Sequence, residues 1–162
     1  LSGQLAKVAA GQRVSVHISD GRSSPVLGSR GGLYGDSNAL SVEGRTFMPR
    51  LQAEVEAGLR MRGFDIQPQG QAPATFDLQV TGLTYAVTEG RTVMSDVQLT
   101  ATYLVRLRKD GRNYEGSYTA KLKKKFVKPP TDKANDRLVS MVMSDALQRV
   151  FEDRGISDFL AR

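Results

Sequence analysis

The chain is expected to fold as an α+β domain of order β-α-β-β-β-α, a largely antiparallel sheet with two helices packed on one face. Three observations lead there. Between residues 75 and 127, apolar and polar residues alternate through three successive runs separated by tight-turn signals, the pattern of an antiparallel meander. Apolar stripes of helical period flank this stretch on either side. The length, 162 residues, suits one domain that buries one core.

The first dozen residues, Leu1 to Gln12, are small and polar and are read as an N-terminal tether, leaving 13–162 as a single domain. Val14, Val16 and Ile18 alternate with Ser15, His17 and Ser19, which predicts a short strand with one buried face. Asp20-Gly21-Arg22 turns the chain. From Gly21 to Arg45 glycine and serine dominate without a sustained period, so a long loop is expected, with Ala39 to Val42 available as a short strand.

Thr46 is placed to cap a helix over 47–62, whose stripe is Met48, Leu51, Val55 and Leu59. Pro49 falls in its first turn, where proline is tolerated. Gly63 is the expected left-handed terminator, with Phe64 folding back on the last turn. After a polar connector, Phe76, Leu78 and Val80 occupy even positions but Leu83, Tyr85 and Val87 odd ones. That slip at Thr81-Gly82 predicts a β-bulge, since one extra residue keeps both sets on the core face.

The next run sets Val93, Val97, Leu99, Ala101, Tyr103, Val105 and Leu107 at odd positions against Asp96, Gln98, Thr100, Thr102, Arg106 and Arg108 at even ones, and Asp110-Gly111 is a strong two-residue hairpin signal. The return strand sets Tyr114, Tyr118, Ala120, Leu122 and Phe126 against Glu115, Ser117, Thr119, Lys121, Lys123 and Lys125. Pro129-Pro130 stops it. Thr131 or Asp132 caps a second helix, roughly 132–154, ended by Gly155, and Ser157 caps a last half-turn.

Composition narrows the chemistry. Without cysteine there is no disulfide, thiolate nucleophile or cysteine zinc site. The lone His17 removes multi-histidine metal clusters, and its alternation with Val16 and Ile18 points it away from the core. The cluster Gly28, Gly31, Gly32, Gly35 lacks the Gly-Lys-Ser/Thr of a phosphate loop. Acidic residues are scattered, Asp96, Asp145 and Asp153 among them. No catalytic, cofactor-binding or metal-binding residue is assigned, and no enzyme is expected.

The net charge of +6 and pI near 9.8 favour an anionic partner, and equally serve solubility. The run KLKKKFVK places Lys121, Lys123 and Lys125 on one strand face, with Lys128 beyond them and Arg106 and Arg108 on the neighbouring strand. Such a stripe binds phosphates or an anionic headgroup surface. It also guards an edge strand against aggregation. Nucleic acid is disfavoured because Tyr114, Tyr118 and Phe126 are assigned to the core rather than to a stacking surface. In the long loop, Arg30 and Tyr34 are candidate contacts for a small ligand gated by residues 22–45.

The sequence starts at Leu1 with neither an initiator Met nor an apolar leader, so a mature or trimmed form is expected. It resembles the YajG family of bacterial outer-membrane lipoproteins from Val14 to Arg162. The resemblance is carried by Val14-Ser15-Val16 leading to Asp20-Gly21-Arg22, by Leu51 to Arg62-Gly63-Phe64, by Asp77-Leu78-Gln79-Val80 and Tyr85, by Tyr118-Thr119-Ala120, and by Ile156-Ser157-Asp158-Phe159-Leu160. It implies a periplasmic domain held at the outer membrane by a lipidated N-terminal cysteine, a residue this chain does not contain. The element order is also similar to LptE-like envelope lipoproteins, at the level of fold. The resemblance implies no reaction. With the lysine face it leads to a non-enzymatic envelope domain that contacts a protein partner or an anionic envelope component. The alternative is the small-ligand domain gated by the 22–45 loop.

Overall fold

The structure, a computed structural model, describes residues 7–29, 39–89, 94–128 and 130–162. Strands β1 (Arg13–Asp20), β4 (Asp65–Gln67), β5 (Ala74–Glu89), β6 (Ser95–Lys109) and β7 (Arg112–Phe126) form one sheet in the order β4-β1-β5-β6-β7. A separate hairpin joins β2 (Val26–Ser29) to β3 (Ala39–Ser41). Helix α1 (Gly44–Met61) packs on β1 and β4, whereas α2 (Asp132–Glu152) lies on β6 and β7 and leads into α3 (Arg154–Ala161).

The meander forms with its bulge where expected. Phe76 pairs with Leu107, the register shifts between Val80 and Gly82, and Leu83 then pairs with Ala101, so the bulge keeps both apolar sets inward. Asp110 and Gly111 both take positive φ, 51° and 73°, which gives the turn a twist matched to its strands. Val97, Leu99, Tyr103, Val105 and Leu107 are buried beneath the helices. Each such side chain contributes about 1.5–3 kcal/mol through burial. An exposed ion pair contributes about 0.2–1 kcal/mol, so the apolar alternation decides which face is covered.

The structure adds to and corrects the expected elements. Strand β1 runs parallel to both β4 and β5, because α1 carries the chain back across the sheet before β4 and β5 begin. The Gly-rich stretch contributes two packed strands, whose Leu27 and Leu40 enter the core. Helix α1 starts at Gly44 with Glu43 at its N-cap and no side-chain cap, so Thr46 lies inside the first turn. Contacts with the end of β1 fix that start: a Cβ on Gly44 would strike the Asp20 carboxylate, and the Arg22 guanidinium sits 5.0 Å from the Phe47 ring centroid. At the other end of α1 the expected terminator holds. Gly63 has φ +94°, its N–H donates to Arg60 and that of Phe64 to Leu59, a Schellman closure.

Helix α2 begins at the expected cap, with Thr131 Oγ1 accepting from the Ala134 N–H. It stops at Glu152 rather than running to 154, because the Asp153 side chain accepts from the Gly155 N–H and starts α3 there. Ser157 therefore lies buried within α3 instead of capping it. Within the expected tether, residues 7–12 lie on the domain: the N–H groups of Val8 and Ala9 donate to the Arg62 carbonyl and that of Gly11 to Gly63, while Ala9 is buried.

Candidate anionic contact face

Strand β7 is an edge of the sheet, and its odd positions face solvent opposite the helices. Lys121 pairs with Thr100, Lys123 with Gln98 and Lys125 with Asp96. Alternate residues of a strand are about 6.7 Å apart, so the three ammonium stems form a straight row about 13 Å long. All three are exposed, as is Lys128, and none forms an ion pair among the described residues. Asp96 is the acid in the row. A hollow of about 300 Å³ at this end of the sheet is lined by Thr88, Asp96, Gln98, Lys123 and Lys125. At the open edge, Lys121 borders a polar hollow of about 280 Å³ with Asp145, Arg149 and Glu152 of α2.

Two features of this end went unread in the sequence. Lys124 has the parity of the inward-facing Leu122 and Phe126 but is exposed, so basic groups project from both sides of the strand. In addition, Lys133 and Arg137 in the first turns of α2 are exposed. Seven basic side chains and only two acidic ones fall between Lys121 and Arg137, so most of the chain's +6 is concentrated in this segment.

The structure does not bring Arg106 and Arg108 to that row. They lie toward the opposite end of the sheet, where Arg106 Nε bonds Glu115 Oε2 at 2.7 Å and an Arg108 terminal nitrogen bonds Asp77 Oδ2 at 3.1 Å. Arg106 is six residues along β6 from the partner of Lys121, roughly 20 Å away. Both arginines line a hollow of about 220 Å³ with His17, Asp77 and Gln79. His17 is exposed there, as its alternation required. Among the described residues no three His, Asp or Glu side chains converge as metal ligands.

Arg30 and Tyr34 lie outside the described residues. The loop's flanks are structural: Arg22 clamps Asp20 through two bonds of 2.9 and 2.8 Å and also donates to the Val42 carbonyl at 2.8 Å. The hydrogen bonds from Arg22 hold the Asp20 carboxyl below the usual carboxylate range.

A second polar cluster, missed in the sequence, joins the edge strand to the helices. Tyr114 and Tyr118 donate to the same Asp153 Oδ2 at 2.7 and 2.6 Å. Gly116 permits this, since a Cβ there would strike the Tyr118 hydroxyl. The spacing Tyr114-x-Gly116-x-Tyr118 was the available signal, a glycine inside a strand where a side chain must lean across.

A sequence model of a family described as "Uncharacterized lipoprotein" matches residues 3–161. Among solved structures, a minor lipoprotein from Acinetobacter baumannii is 12% identical over 94% of this chain and 92% of its own, with a TM-score of 0.50. Rare lipoprotein B from Shewanella oneidensis is 14% identical over 90% of this chain and 96% of its own, with a TM-score of 0.44. The first likeness is one of fold alone. No curated protein matches the chain.

Proposed function

We propose a role for this chain on one premise: it belongs to the lipoprotein family matched over residues 3–161. The chain is the periplasmic domain of an envelope lipoprotein, held at its N-terminal side and contacting an anionic envelope component through the lysine end of β7. It carries out no reaction of its own. The narrower YajG assignment and the place on the periplasmic side of the outer membrane are part of this proposal and rest on the sequence motifs given above.

The observation that carries it is the separation of two ends of the molecule. Residues 8–12 run beside Arg62 and Gly63 and feed β1, at the end of the sheet where Lys109 turns into Arg112. Gln12 also donates to the Ala161 carbonyl there. Lys125 pairs with Asp96, thirteen residues along β6 from Lys109, which is about 40 Å away along a strand. A tether at one end thus leaves the basic row free at the other. Among the described residues no helix is long and apolar enough to cross a membrane.

Titration against lipopolysaccharide tests the contact. A lysine near an anionic surface contributes about 1 kcal/mol, so Lys121→Glu, Lys123→Glu and Lys125→Glu together are expected to weaken binding by about 100-fold or more. Equal binding by the triple variant and the parent overturns the assignment.

A further inference from the structure

The lysine end also carries exposed apolar side chains. Met94 is 42% exposed and Val127 62%. They occupy the positions that follow the last paired rung of the β6–β7 ribbon, Ser95 with Phe126. Lys123, Lys124, Lys125 and Lys128 adjoin them, all exposed. Phe126, by contrast, is half-buried against the core and takes no part in the exposed tip.

We infer that this tip docks on an anionic phospholipid surface, with Met94 and Val127 entering the headgroup–acyl boundary and the lysines paired to lipid phosphates around them. The inference rests on the anionic contact proposed above and names the partner as lipid. A soluble polyanion is held by charge alone and gains nothing from exposed apolar groups. A bilayer interface rewards both parts: burial stabilises the apolar side chains, and lysine stems lie along apolar surface while their ammonium groups reach phosphate. Asp96, opposite Lys125, tempers the charge of the tip, and Glu89 stands opposite Ser95 at the same end of the sheet.

These 162 residues contain no cysteine, which makes a site-specific test direct. Val127→Cys is labelled with an environment-sensitive dye and mixed with vesicles of phosphatidylglycerol and phosphatidylcholine. Met61→Cys serves as the control, since Met61 is 50% exposed at the end of α1 beside the chain's N-terminal side. The dye at 127 is expected to shift to the blue on the vesicles and the dye at 61 to stay aqueous. Met94→Ser with Val127→Ser is expected to bind the vesicles about tenfold more weakly and to bind heparin as tightly as the parent. If the chain binds the vesicles while the dye at 127 stays aqueous and the double serine variant binds like the parent, insertion is overturned and the electrostatic contact stands. If the parent binds neither vesicles nor heparin, both fall.

Discussion

Tyr118 donates its hydroxyl to Asp153 at 2.6 Å, and Asp153 is the residue at which α2 gives way to α3. The edge strand is thereby fastened to the hinge between two helices. Partial burial pushes the Asp153 carboxyl up, but the bonds from Tyr118, Tyr114 and the Gly155 N–H outweigh it and hold it below the usual carboxylate range. For Tyr118, burial and the same carboxylate raise the phenol.

Asp153→Asn keeps a capping side chain but removes the charge from these bonds. It is expected to lower stability by about 1–3 kcal/mol in urea denaturation. A carboxyl that titrates below its unfolded value stabilises the fold above the unfolded pKa of about 4. That stabilisation is lost as the pH falls through the lower, folded-state value. Asp20 has the same sign. The variant should therefore show a shallower loss of stability below about pH 4 than the parent.

Among the described residues, no carboxylate pairs with Arg62. Its guanidinium donates to Ser157 Oγ at 2.6 Å and to the Phe151 carbonyl near the end of α2, and burial lowers its pKa. The C-terminal end of a helix favours a positive charge, which explains the placement. One ammonium does not reproduce the two-pronged geometry, so Arg62→Lys is expected to lose about 1–3 kcal/mol and to be no more stable than Arg62→Met. Thermal unfolding of the three proteins decides it, and a fully stable Arg62→Lys counts against the bidentate role.

Gly58 lies in the buried stripe of α1 directly against the Phe151 ring, and a Cβ there would strike that ring. Helix propensity favours alanine by about 1 kcal/mol. Overpacking a fixed core aromatic costs about 1–3 kcal/mol. The steric term is expected to win, so Gly58→Ala should lower the melting temperature.

The parts of the fold written in side-chain period were legible. The bulge at Gly82 followed from the change of parity between Val80 and Leu83, and the hairpin at Asp110-Gly111 from a turn that needs two positive φ angles. Parts fixed by tertiary contact were not. Asp65–Gln67 is too short for a period to show, and the parallel direction of β1 depends on where α1 delivers the chain. In the sequence the visible terminator after Val150 and Phe151 is Gly155, which carries the expected helix to 154. The break comes two residues earlier, at Asp153, whose carboxylate caps Gly155 and accepts from Tyr114 and Tyr118. Of the candidate site, the lysine row was readable from alternation. The pairing of Arg106 with Glu115 and of Arg108 with Asp77 depends on strand register, which placed both arginines away from it.

The most direct measurement joins the two ends of the molecule in one assay. A cysteine added ahead of Leu1 couples the chain to zwitterionic vesicles, and anionic vesicles are then mixed in while light scattering is followed. Six extended residues reach at most about 20 Å, well short of the roughly 40 Å between the two ends of the sheet. The basic tip should therefore meet the second vesicle, giving clustering that high salt reverses and that Lys121→Glu with Lys123→Glu and Lys125→Glu abolishes. No clustering by the parent, or equal clustering by the triple variant, would contradict the account.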